Sequence, residues 1–155
     1  MHHYGYKVGY NVVMNRIIAR LQTNEAANLF AQHDVVLAYL YGSQARGEAG
    51  ALSDVDIAVL FASELDKKAR FWQLLNLGNE LGTLLQRDDV QVVDLAEATP
   101  LLRHRVYYDG HLLYCPDDAV RVKFETTALR DYVDTAPLRR LQEKYVRQYF
   151  AEGDD

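Results

Sequence analysis

Two short apolar runs separated by a small polar segment, YLYGSQARGEAGALSDVDIAVLF over Tyr39–Phe61, constrain this chain more than any other stretch. The first run, Val35–Tyr41, and the second, Val55–Phe61, have the length and the β-branched and aromatic content of buried strands. Gly42-Ser43 falls where the first strand should end. Ten residues, Gln44 to Ser53, separate Ser43 from Asp54. Side chains two apart on a strand share a face, so Asp54 and Asp56 should present two carboxylates together, one on either side of Val55. Two such acids repel and resist ionising unless a cation compensates. Magnesium suits that role, because it binds through one or two carboxylates plus substrate phosphates. Gly42, lacking a Cβ, lets a triphosphate approach the backbone. A Gly-Ser turn entering a helix adds N–H groups and a hydroxyl as a phosphate cradle. Taken singly, Gly-Ser is a common turn pair and Asp-x-Asp can end any turn. Their order, spacing and flanking strands together point to phosphate chemistry.

The string GSQARGEAGALSDVDIAVL resembles the signature of the polymerase-β-type nucleotidyltransferase superfamily, in particular its minimal members. The segment VQVVDLAEATPLLRHRVYYDGHLLY is similar to what usually follows it there, so the resemblance covers most of Val35–Tyr114. It implies a nucleotidyltransferase-like fold, Mg²⁺ on Asp54 and Asp56, ATP as substrate, and phosphates held by Gly42 and Ser43. Arg46, the one cation of that segment, is a further candidate phosphate contact, with a surface ion pair to Glu48 as the plainer alternative. The sequence departs from the family at one point. A third acid is common in the next strand, and the matching position here is Gln91. Asp94 is a candidate replacement if a bulge or the strand's end turns it round, since alternation places it on the opposite face. Asp89, two residues before Gln91 and on its face, is the other.

Stand-alone proteins of this look are similar to the antitoxins of HEPN/MNT toxin–antitoxin pairs, and FETTALRDYVDTAPLRR also resembles that group. The resemblance implies transfer of AMP from ATP to a tyrosine of a cognate HEPN ribonuclease toxin, which is thereby neutralised. Two alternatives stay open. One is a small-molecule nucleotidyltransferase, for which 155 residues leave little room to hold the acceptor. The other is a non-catalytic antitoxin acting by contact, which Gln91 favours. Arg105 and His111 are spaced R-x5-H, but Asp109-Gly110 breaks the helix between them, so this match to the HEPN ribonuclease motif reads as chance.

Length and composition set the frame. A chain of 155 residues, 49% hydrophobic and 25% charged, makes one domain with a proper core. A net charge of −5 argues against direct nucleic-acid binding, which wants a basic face. One cysteine, Cys115, permits no internal disulfide and fits a cytoplasmic protein; it reads as a buried, inert thiol. No apolar run is long enough to cross a membrane. Residues 1–13 read as a flexible segment, with His2 and His3 not metal ligands, and 14–155 as a single domain.

The fold expected is α/β: a small mixed β-sheet with helices packed on it and a C-terminal helical extension. Met14–Gln32 reads as one amphipathic helix. Ala45–Ala49 reads as a helical turn after the Gly-Ser pair. Glu64–Gln86 is a second long helix, with Trp72 in the core and Gly78 and Gly82 allowing close approach. Val90–Leu95 is a third strand. Thr99–Asp109 is a helix capped by Thr99 with Pro100 in its first turn. His111–Cys115 is an edge strand. Pro116–Val133 and Leu138–Phe150 are the last helices, with an apolar stripe of Leu138, Leu141, Tyr145 and Tyr149 on the final one.

Overall fold

The computed structural model describes residues 16–47 and 53–151. The expected domain start near Met14, the two N-terminal histidines, and the Arg46–Glu48 ion pair lie outside the described residues. Four strands form one sheet in the order β3-β2-β1-β4. These are β1 (Val35–Tyr41), β2 (Val55–Phe61), β3 (Val90–Asp94) and β4 (His111–Tyr114). β1 pairs antiparallel with β2 and β4, whereas β2 and β3 run parallel. The sheet is therefore mixed, as expected, and β4 closes one edge.

The two inner strands bury both faces, so each apolar run serves two cores. Val55, Ile57 and Val59 point to one side with Ala38 and Leu40. There they meet α1 (helical over residues 16–21), α2 (Asn24–Gln32) and α4 (Lys67–Leu85). Leu37, Tyr39 and Ala58 point to the other, against Val106 of α5 (Pro100–Asp109) and Phe124 and Ala128 of α6 (Asp118–Asp134). A single turn, α3 (Gly42–Ala45), follows β1, and α7 (Ala136–Ala151) ends the described chain.

Three expectations change. The first helix is broken, not continuous, because Thr23 starts a new one. Its Oγ1 accepts from Ala26 N at 3.2 Å and donates to Arg20 O at 2.9 Å, an N-cap that satisfies groups a through-going helix would bond elsewhere. The helical turn after β1 begins at Gly42 itself and ends at Ala45, earlier than expected. Trp72 is not in the core: it is 51% exposed and stands edge-on to Phe71, with ring centroids 5.3 Å apart. The buried seam of α4 is Leu77, Leu81 and Leu84, and Trp72 lies about 140° round the helix from Leu77.

Caps set the remaining boundaries. Asp66 and Thr99 accept from the backbones of Ala69 (2.8 Å) and Leu102 (3.2 Å), starting α4 and α5. Asp117 does the same for α6 through Ala119 N (3.0 Å). Cys115 is only half-buried, and its thiol donates to Asp117 O at 3.1 Å. Among the described residues no helix is long and apolar enough to cross a membrane.

Candidate active site

The site is built at the junction where β1 ends and β2 begins. Antiparallel pairing places Tyr41, the last residue of β1, opposite Asp56, and parallel pairing places Gln91 of β3 on the other flank of Asp56. Tyr41, Asp56 and Gln91 thus form one row across three strands. Asp54, two residues before Asp56, lies immediately before β2, and Gln91 Nε2 donates to its Oδ2 in a long hydrogen bond of 3.4 Å.

Gly42 is fixed by geometry twice over. Its φ is +74°, in the left-handed region. An ideal Cβ built there would lie 2.5 Å from Asp56 Oδ2, closer than any real Cβ contact. Only glycine lets the chain turn here while touching the carboxylate. Ser43 follows in the same turn, and Gln44, 1% exposed, points inward.

Two residues that the sequence reading did not single out hold the far side of the junction. Gln44 Nε2 donates to Ser53 O at 3.1 Å, and Arg87 Nη2 donates to the same carbonyl at 2.8 Å. The residue preceding Asp54 is thereby held from both α3 and the α4–β3 connection. Arg87 is brought there by the end of α4. Gln86 adopts a left-handed C-cap, and Arg87 N donates to Gly82 O at 2.9 Å. A Cβ on Gly82 would lie 2.7 Å from Arg87 O, so the close approach foreseen for this glycine is to the backbone of the next turn. Arg87 Nε also donates to Asp89 Oδ1 at 2.7 Å. That contact holds the Asp89 carboxyl below its ordinary range, mainly by hydrogen bonding. The sequence signal for Arg87 was slight: one cation just before an acidic pair.

The electrostatics favour a cation. Burial pushes the Asp56 carboxyl above its ordinary range, Asp54 adds to that, and Arg46 offsets part of it. The Tyr41 phenol is pushed up to about 12 by burial and then by Asp56. A divalent cation between Asp54 and Asp56 would relieve their repulsion and replace lost hydration. Among the described residues no third His, Cys, Asp or Glu joins them as a metal cluster. Two carboxylates beside a glycine that leaves room for phosphate suit magnesium, which takes its other ligands from phosphate and water.

Asp94 is not brought to this pair. It follows Val90 and Val92 on the α4 side of the sheet, and Arg70 Nε of α4 donates to its Oδ2 at 2.9 Å. Its Oδ1 accepts from Ala96 N at 2.9 Å, so no bulge turns it round. The alternation of the strand wins. Asp89 is on the correct flank but is engaged by Arg87. Arg46 lies near enough to Asp56 to act on its charge. His111 Nε2 lies 3.1 Å from Ala45 O, tying β4 to α3. An apolar groove of about 420 Å³, lined by Val36, Leu60, Leu95 and Phe124, lies at the opposite end of β2 and has no part in this chemistry.

The profile described as polymerase beta, nucleotidyltransferase matches residues 24–119, more than half of the chain and all of the junction just described. The chain belongs to this nucleotidyltransferase family. A protein adenylyltransferase, MntA of Shewanella oneidensis, is 41% identical to this nucleotidyltransferase over 78 residues, 50% of this chain. The chain spans only 52% of that relative's length. A crystal structure of a toxin–antitoxin with AMP-PNP contains a chain 29% identical, with a TM-score of 0.65 over 81% of this chain and 99% of that one. A tri-AMPylated S. oneidensis HEPN toxin in complex with MNT antitoxin contains one 26% identical, with a TM-score of 0.59 over 89% and 98%. The mixed sheet, the helices on both its faces and the helical C-terminus are those of a nucleotidyltransferase.

Proposed function

We propose that this chain is a magnesium-dependent adenylyltransferase antitoxin, which moves AMP from ATP to a tyrosine of a cognate HEPN ribonuclease toxin. The observation that carries the reading is the contact between Gly42 and Asp56, with Asp54 beside them. It combines a phosphate-accessible backbone and a carboxylate pair in need of a cation. The relatives named above are a protein adenylyltransferase and chains of toxin–antitoxin structures with AMP-PNP or an AMPylated toxin, which supports the same acceptor class.

Each residue has a part. Asp54 and Asp56 would hold Mg²⁺, whose charge, when bound, stabilises the triphosphate and the leaving pyrophosphate. Gly42 and Ser43 position the phosphates, and Arg46 adds positive charge on the same side. Gln44 and Arg87 keep Ser53, and with it Asp54, in place. The acceptor hydroxyl attacks in line, so most of the rate comes from positioning and electrostatics. The protein would work in the cytoplasm, where ATP and such a toxin meet.

The test is intact mass spectrometry of the protein encoded beside this chain, after incubation with this chain, ATP and Mg²⁺. The expected result is a gain of one or more AMP units, lost with Asp54→Asn. A stable complex with no mass gain would overturn transfer and leave neutralisation by contact. That second reading draws on α7, whose 16 residues bury none and carry an exposed apolar stripe.

A further inference from the structure

We propose that Gln91 restricts the acceptor to a hydroxyl that is already acidic, a phenol, and excludes aliphatic alcohols. The inference rests on the nucleotidyl-transfer reading above and adds the residue that selects the acceptor class. In that reaction the acceptor oxygen bonds to the α-phosphorus and the bond to pyrophosphate breaks. The hydroxyl proton has to leave. It goes either to a protein base or to solvent.

In the strand position beside Asp56 the structure offers an amide and not a base. Gln91 holds the strand position in register with Asp56 and reaches Asp54, where a carboxylate would be best placed to take the proton. Its neighbours are committed. Asp89 is held by Arg87, and His111, in register with Leu40 of β1, faces the α4 side of the sheet with its Nε2 against Ala45 O. Asp94 is paired with Arg70 across the sheet. Asp54 and Asp56 are the cation pair. The Gln91 amide donates through Nε2, which leaves Oε1 to accept from the acceptor's O–H. An amide oxygen orients that hydroxyl but takes no proton at neutral pH.

Magnitudes then choose the acceptor. At pH 7 about one phenol in a thousand is ionised, from a pKa near 10. An alcohol as weakly acidic as water, at 15.7, is ionised to about one part in 10⁹. A general base is worth about 10²–10⁴ in rate, which would close part of that gap for an alcohol and which Gln91 withholds.

The experiment uses the full chain and the protein encoded beside it as acceptor, in single-turnover reactions with ATP and Mg²⁺ at pH 7. The acceptor is prepared with its modified tyrosine native, ring-fluorinated to make the phenol more acidic, or replaced by serine. Wild type is expected to modify the fluorinated acceptor faster, several-fold for each unit by which its pKa falls, and the serine form at least about 100-fold more slowly than tyrosine. Gln91→Glu is expected to raise transfer to the serine form at least tenfold and to flatten the fluorine effect. Its melting curve and its ATP binding by calorimetry report whether it is intact. Equal rates on tyrosine and serine in wild type, or no fluorine effect, would overturn the proposal without the variant. An intact Gln91→Glu that leaves the serine form unmodified would overturn it too. No AMP transfer to any acceptor by wild type would instead remove the nucleotidyl-transfer reading, and this inference with it.

Discussion

Around Asp54 and Asp56 the chain is held from four directions, while along α7 not one residue is buried. At the junction, β1 supplies Tyr41, α3 supplies Gly42, β3 supplies Gln91, and Gln44 and Arg87 grip Ser53. On α7, Leu138, Leu141, Tyr145 and Tyr149 are exposed, at 48–77%. That helix is fixed at its base. The Arg139 guanidinium lies 3.8 Å from the centroid of the Tyr132 ring, on which His104 also stacks at 3.8 Å, and Arg139 Nη2 donates to Tyr132 O at 2.6 Å. A cation–aromatic contact of this kind is worth about 0.5–2 kcal/mol, far less than a buried core. The junction is thus built for precision, and α7 for presentation. Its charges agree: Arg139, Arg140, Lys144 and Arg147 against Glu143 make it basic on a chain of net charge −5. An exposed apolar stripe set among cations suits a protein surface of opposite charge.

Substitutions can break this contrast, and the largest effect should come from the core under the site. Leu81→Ala, at a fully buried position on α4, is expected to cost about 2–5 kcal/mol, read by urea unfolding. A loss below about 1 kcal/mol would mean that α4 is not the wall of the sheet. Gly42→Ala comes next. The positive φ and the clash with Asp56 Oδ2 should cost about 1–3 kcal/mol and abolish the proposed AMP transfer. Full activity in that variant would remove the close approach on which the site reading stands.

Asp56→Asn tests the electrostatics with the opposite sign. The Asp56 carboxyl is raised in the fold, so the folded chain holds its proton more tightly than the unfolded chain does. Its favourable contribution is present below the ordinary value of 3.8 and is lost as pH rises through the raised value. Asn removes that loss. In cation-free buffer the variant should therefore melt higher than wild type at pH 7, and the difference should close below pH 3.8. Added Mg²⁺ should raise the melting temperature of wild type and not of Asp56→Asn. A variant that melts lower than wild type at pH 7 without cation would contradict the upward shift that burial and Asp54 give this carboxyl.

The smallest effect on stability is expected for Leu141→Ala on α7, within about 0.5 kcal/mol. The same change should weaken complex formation with the proposed toxin partner, measured by calorimetry. Unchanged affinity together with unchanged stability would leave the stripe without a role.

The sequence by itself determined the strands, one helix cap and which residues meet where β1 ends and β2 begins. Gly42, Asp54 and Asp56 were legible because a turn glycine and a two-residue spacing act locally, and Thr99 with Pro100 marked a helix start for the same reason. The departure at Gln91 was also visible, through the family resemblance that marks that position, whereas its register with Asp56 came from the folded sheet. Tertiary structure decided what no local rule reaches. Trp72 looked like core because any large aromatic on a long amphipathic helix does; only the placement of α4 on β3 showed that Leu77, Leu81 and Leu84 face the sheet. Asp94 was resolved by a partner 24 residues away, Arg70, and Ser53 by one 34 residues away, Arg87. The strand order β3-β2-β1-β4 is likewise a choice among pairings that each strand could make alone. Spacing fixes which side chains share a face, whereas the company those faces keep depends on long-range closure of the chain, which only the folded whole selects.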